Sequence, residues 1–123
     1  MEHALILIFL LFTKHFFIDF PLQTKYQYLN KGTYGHPGGL LHAGLHGIGT
    51  YFVLSFCTIP YLLYFALADF VLHYHIDWAK MKLNKVLKWR PTTHEQFWWL
   101  LGLDQYLHAL TYIAIVYYAL TFI

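Results

Sequence analysis

Leu72-His73-Tyr74-His75-Ile76-Asp77-Trp78-Ala79-Lys80 closes the third long apolar run of the chain, and the reading of this stretch decides the fold. His73 and Asp77 stand four residues apart, so on an α-helix they stack on one face, one turn above the other. Each of the other apolar runs holds a pair at the same spacing: His15 and Asp19, His42 and His46, Asp104 and His108. Composition alone would supply roughly one or two such pairs in the whole chain rather than one in each run.

The apolar runs are abundant. Of 123 residues, 59% are hydrophobic and 11% charged, against about 25% charged in an ordinary globular domain. With a mean hydropathy of +0.45, this composition predicts a membrane protein of one domain, 1–123. Four helices are expected at about 4–20, 40–59, 61–79 and 97–122, the last run extending to Ile123. The fold class that follows is all-α, an integral membrane antiparallel four-helix bundle.

The signals between the runs agree with that division. Pro21 ends the first run, and a polar, Gly-rich loop extends to Gly39. Ala43 and Gly47 form a small-xxx-small pair that lets helix backbones approach closely. Pro60 suits a helix start and makes the second connection short, which implies antiparallel neighbours. Lys80 to Arg90 reads as a basic segment lying at a membrane interface between helices 3 and 4, attractive to anionic lipid head groups. Thr93 with Gln96, or Thr92 with Glu95, offers a capping box for the last helix, where Trp98 and Trp99 suit an aromatic belt. The N-terminus lacks a basic n-region and a small-x-small cleavage site, so it is expected to remain as the first helix. Lysine and arginine concentrate in the first and third loops. By the positive-inside rule this predicts a multi-pass protein of the cell (inner) membrane with both termini non-cytoplasmic.

Up-down-up-down topology brings the four pairs to one level, in the cytoplasmic leaflet. Five imidazoles and three carboxylates in low dielectric need a partner, and a divalent metal provides one. His15, Asp19, His42, His46, His73, Asp77, Asp104 and His108 are the candidate ligands. Eight exceed the needs of one ion, so one or two are expected, zinc first, with iron, manganese or nickel also compatible. Asp19 or Asp104, left free of metal, is the candidate general base. Lys80, Gln105, Gln23 and Asp69 are candidates to orient ligands or meet substrate, with Asp69 one turn before His73. His3, His36 and His94 read as surface residues, His75 as a structural neighbour and Cys57 as an inert thiol.

The strings Lys14 to Gln23, His42-Ala43-Gly44-Leu45-His46, His73 to Lys80 and Asp104-Gln105-Tyr106-Leu107-His108 resemble a family of small bacterial and phage membrane proteins. That family is known as domain of unknown function thirty-three-oh-seven. The resemblance covers essentially the whole chain and implies a four-helix membrane protein with no established activity. More loosely, the chain is similar to membrane-bound metal-dependent hydrolases, and this likeness is what implies hydrolysis. The function expected is therefore a membrane-embedded, metal-dependent hydrolase of a lipid or lipid-linked (phospho)ester. A transition-metal transporter or channel subunit, working as a homodimer, is the alternative, and a non-catalytic accessory protein stabilised by metal is a third. The expected partners are the lipid bilayer and a possible second copy of the chain, without nucleic acid.

Overall fold

A computed structural model describes residues 1–122, so Ile123 at the end of the last apolar run lies outside it. The described chain is all-α, with five helices rather than four: α1 (Glu2–Asp19), α2 (Lys25–Asn30), α3 (Pro37–Leu54), α4 (Leu62–Leu87) and α5 (Glu95–Thr121). The four long helices pack as a ring in which α1 meets α3, α3 meets α4, α4 meets α5 and α5 returns to α1. Neighbours run antiparallel: Asp19 at the end of α1 meets His42 near the start of α3, and Lys80 late in α4 meets Asp104 early in α5. The short helix α2 packs on α3.

The membrane expectation is overturned. Among the described residues, no helix is long and apolar enough to cross a membrane. The residues that make the inner face of each helix polar also interrupt its apolar run: Lys14, His15 and Asp19 in α1, and Asp69, His73 and Asp77 in α4. With the spans go the multi-pass inner-membrane placement, the leaflet assigned to the site and the orientation of the termini. The basic segment between the last two helices is also reassigned. Residues 80–87 continue α4 as regular helix, and only 88–94 connect it to α5.

Local chemistry explains the boundaries that moved. The 21–39 loop is interrupted by α2, and α3 begins at Pro37, three residues earlier than expected, with His36 as N-cap. The His36 Nδ1 accepts from the Gly38 backbone N–H at 3.0 Å, while Pro37 occupies the first turn, where no N–H is needed. Neither capping box forms. The N-cap of α5 is His94, without a side-chain cap, and Thr93 Oγ1 lies 2.8 Å from the His94 ring instead.

The interior divides along the bundle axis. At one end Leu7, Leu11, Leu54, Tyr112, Ile115, Val116 and Ala119 form a packed apolar core. At the other, the buried side chains are His15, Asp19, His42, His46, His73, Asp77, Asp104 and His108. Many large apolar side chains, among them Phe9, Phe52, Leu63, Trp99 and Tyr117, are on the outer faces. The small pair in α3 brings two helices together as expected, since a Cβ built on Gly47 would sit 3.0 Å from the Ala66 carbonyl oxygen of α4. Gly47→Ala should therefore cost about 1–3 kcal/mol through overpacking against backbone. Gly102 has nothing within 4 Å of such a Cβ, so Gly102→Ala should be neutral or stabilise by up to ~1 kcal/mol. Urea midpoints of the two variants, measured side by side, should move in opposite directions or differ clearly in size.

Candidate metal centre

The four pairs meet as their spacing suggests, and Asp19 is where they join. Its Oδ1 lies 2.8 Å from His46 Nε2, 3.0 Å from His42 Nε2 and 3.4 Å from His73 Nε2. Asp77 stands opposite: its Oδ2 is 3.2 Å from both His42 Nε2 and His73 Nε2, and its Oδ1 is 3.0 Å from His108 Nε2. The His73 ring is stacked between those of His46 and His108, at centroid distances of 3.6 and 3.9 Å. Two groups are spaced to hold a metal ion: Asp19, His42, His46 and His73, and His73, Asp77 and His108, each with ligand atoms within 4.8 Å of one another. All of these residues are buried.

His15 and Asp104, the remaining members of the expected eight, stand outside both groups. His15 Nε2 is 2.9 Å from Gln105 Oε1 and 3.1 Å from Asp19 Oδ2, both acceptors, so the proton is on Nε2. Its Nδ1 then accepts from the Tyr112 hydroxyl at 2.8 Å. His15 thus orients Asp19 rather than offering a lone pair to the centre. Asp104 Oδ2 accepts from Gln105 Nε2 at 3.0 Å and pairs with Lys80 at 3.3 Å, while its buried Oδ1 has no hydrogen-bond partner among the described residues and faces His108 Nε2 at 3.4 Å.

The tautomers of His42 and His46 differ because their Nδ1 atoms face opposite chemistry. His42 Nδ1 is 3.0 Å from Gln27 Oε1, an acceptor, so Nδ1 carries the proton and the Nε2 lone pair points at Asp19, Asp77 and His73. His46 Nδ1 is 3.1 Å from Lys14 Nζ, a donor, so His46 Nε2 carries the proton and donates to Asp19. A bare lone pair on His42 cannot face two carboxylate oxygens and a second imidazole nitrogen 3.3 Å away. A proton or a metal ion has to sit among them. His73 Nδ1 is buried without a hydrogen-bond partner among the described residues.

Three lysines complete the layer. Lys31, the C-cap of α2, is buried and 3.1 Å from Asp77 Oδ2. Lys80 reaches Asp104. Lys14 reaches Asp69 Oδ2 at 2.8 Å, and Asp69 also accepts from Thr50 Oγ1. Asp69 therefore belongs to a separate polar pair toward the apolar end, and Gln23 donates to the Asp19 backbone carbonyl at the rim. His75 lies outside the centre, 2.9 Å from the Tyr34 hydroxyl. Gln27, Lys31, Lys14, Tyr112 and Thr50 are the participants that the His-Asp spacing does not signal. Lys14 and Lys31 precede His15 and follow Gln27 in segments that read only as helix end and loop.

Ionisation follows these contacts. Burial alone would raise the Asp19 carboxyl, but hydrogen bonds from His15, His42, His46 and His73 outweigh it and hold the group well below the usual carboxylate range. Asp77 is lowered in the same way, with His73 and Lys31 outweighing burial. His42 is raised despite its burial by Asp19 and Asp77, whereas burial and the neighbouring His73 hold His46 neutral. Burial lowers Lys14 against the pull of Asp69. His108 overcomes burial through Asp104 and Asp77 and reaches about 9.

His108 gives a pH dependence for the metal-free protein. Its folded value exceeds the ordinary imidazole value of 6.5, so its contribution is fully present below 6.5 and is lost as pH rises through about 9. The shift corresponds to on the order of 3 kcal/mol, and His42 acts in the same direction. Thermal unfolding of chelator-treated protein should therefore show falling stability between pH 6.5 and 9. His108→Gln should flatten that slope, and an unchanged slope would contradict the assignment.

Comparison with curated proteins and with solved structures finds no match. The family model described as Protein of unknown function (DUF3307) matches residues 6–123, and the chain belongs to that family.

Proposed function

We propose that this chain is a metal-dependent hydrolase of an ester or phosphoester, with a His-Asp centre buried between four helices. The observation that carries the reading is the 3.3 Å separation of His42 Nε2 and His73 Nε2, with Asp19 Oδ1 and Asp77 Oδ2 beside both. Two ligands of a tetrahedral zinc, each 2.0–2.1 Å from the ion, stand about 3.3 Å apart. Five of the six distances among these four atoms, 3.0 to 3.4 Å, fit that edge length. His42, His73, Asp19 and Asp77 would hold the first ion, with His46 left to donate to Asp19. His73, Asp77 and His108 would hold a second ion, so one or two ions fit the donor set. Imidazole and carboxylate without thiolate suit zinc foremost, with iron, manganese and nickel also compatible.

A divalent ion held there supplies Lewis acidity toward an ester oxygen and makes a bound water acidic near neutral pH. The chain's own residues do the rest. Gln27 fixes the His42 tautomer, and His15, His46 and Gln105 hold Asp19 in place through hydrogen bonds. Asp19 is engaged as a ligand, which leaves Asp104 as the proton acceptor. Its Oδ1 has no hydrogen-bond partner among the described residues and lies 3.4 Å from His108 Nε2. A cavity of about 200 Å³ lined by Phe12, His15, Gln105, Ala109 and Tyr112 opens beside the centre between α1 and α5. Its apolar wall suits the lipid or lipid-linked ester that the sequence suggests. Transport requires a path across a membrane, for which no described helix is long and apolar enough.

Purified protein should contain stoichiometric transition metal by elemental analysis, and His73→Ala should lose both metal and turnover of a chromogenic ester or phosphoester. Gln27→Leu, which removes only the tautomer partner, should weaken metal affinity about 10–100-fold. Metal retained without any hydrolysis would leave the centre as a structural staple. A metal-free native protein would end the proposal.

A further inference from the structure

Resting on the metal-centre reading, we infer that the loaded site is an oxyanion site and that its substrate carries an anionic phosphoryl group. The inference comes from counting buried charge. Three carboxylates lie in the layer of the centre, those of Asp19, Asp77 and Asp104. Two ammonium groups are in direct contact with them, Lys31 on Asp77 and Lys80 on Asp104, at 3.1 and 3.3 Å. The Lys31 and Asp77 side chains are 6% and 2% exposed, and those of Lys80 and Asp104 are 11% and 1%. Lys14 and Asp69 form their own pair and leave this balance unchanged. With ligating imidazoles neutral, the layer carries a single negative charge.

One divalent ion turns that into a single positive charge, or two while His108 keeps its proton, and two ions leave three. An unbalanced charge in so dry a layer is costly, and hydroxide from a bound water or an anionic substrate would balance it. Sites with two carboxylate ligands usually come out neutral with one divalent ion. Here the buried lysines neutralise carboxylates in advance and keep the ion's charge available to a ligand. The way in is the cavity between α1 and α5, where His15, Gln105 and Tyr112 are the polar lining residues. His15 donates to Gln105, Gln105 donates to Asp19 and Asp104, and no carboxylate lines the opening to repel an anion. A phosphoryl group offers the charge and the several oxygens that a centre with one to three surplus positive charges can use. A carboxylate offers one charge and two oxygens.

The test uses the full chain loaded with Co(II), whose visible spectrum reports its own coordination, and inorganic phosphate as the probe. Phosphate should change the Co(II) spectrum saturably and broaden its own 31P resonance, and neither effect should appear in metal-free protein. Acetate at the same concentration should not displace it. Lys31→Met and, independently, Lys80→Met should each retain Co(II) but weaken phosphate binding about tenfold, the effect of removing one charge several ångströms from an anion at intermediate dielectric. Lys80→Met keeps the test usable if loss of Lys31 prevents folding. Phosphate binding absent from Co(II)-loaded protein, equal in metal-free protein, matched by acetate, or unaffected in the lysine variants that fold would overturn the inference while leaving the metal centre standing. Failure to retain Co(II) would remove the centre itself.

Discussion

Asp19 Oδ1 accepts from or faces three imidazole nitrogens supplied by two other helices, and the rest of the polar layer is arranged around that single oxygen. A carboxylate taken out of water is penalised by several kcal/mol unless hydrogen bonds or opposite charges replace its hydration. The bundle meets this requirement four times over. Every buried aspartate has a lysine or a histidine within 3.4 Å, and no two of them rely on the same lysine. The helix positions follow from this requirement as much as from apolar packing. α1 must end where Asp19 can meet α3, and α4 must continue past Asp77 far enough for Lys80 to reach α5.

The apolar core and the polar layer have different roles. The core at one end, built from Leu7, Leu11, Leu54, Tyr112 and their neighbours, tolerates exchange among residues of similar volume. The polar layer does not, because removing one member leaves a buried charge or lone pair without a partner. Tyr112 belongs to both. Its ring packs in the core, and its hydroxyl donates to His15, so burial and the surrounding carboxylates raise it well above its ordinary range and keep it a neutral donor.

Much of the centre was legible in the sequence because its chemistry repeats at helical spacing. His42, His46, His73, Asp77 and His108 could be found from the interval of four residues, and antiparallel neighbours put them at one level. Gln27 and Lys31 were not legible, since α2 lies in a Gly-rich stretch and neither residue belongs to a periodic pattern. The tautomers could not be read either: the same imidazole becomes an open lone pair on His42 and a donor on His46 according to what faces Nδ1. The membrane reading failed for a related reason. Composition counts apolar residues wherever they lie. Here each helix interrupts its apolar run with the inward-facing His, Asp and Lys residues that build the centre.

The short helix α2 has a consequence for water. It sets Gln27 against His42 and Lys31 against Asp77, and both residues are almost completely enclosed, 3% and 5% exposed. Gly38 and Gly39 of α3 allow this close seating, for a Cβ on Gly39 would already lie 3.0 Å from Lys31 Cα. Six residues of helix thereby close the polar end of the bundle and set how strongly every charge inside is felt. Lifting α2 would admit solvent, raise the local dielectric and loosen all the ion pairs at once. The electrostatics of the whole centre are thus tied to whether one short segment stays seated.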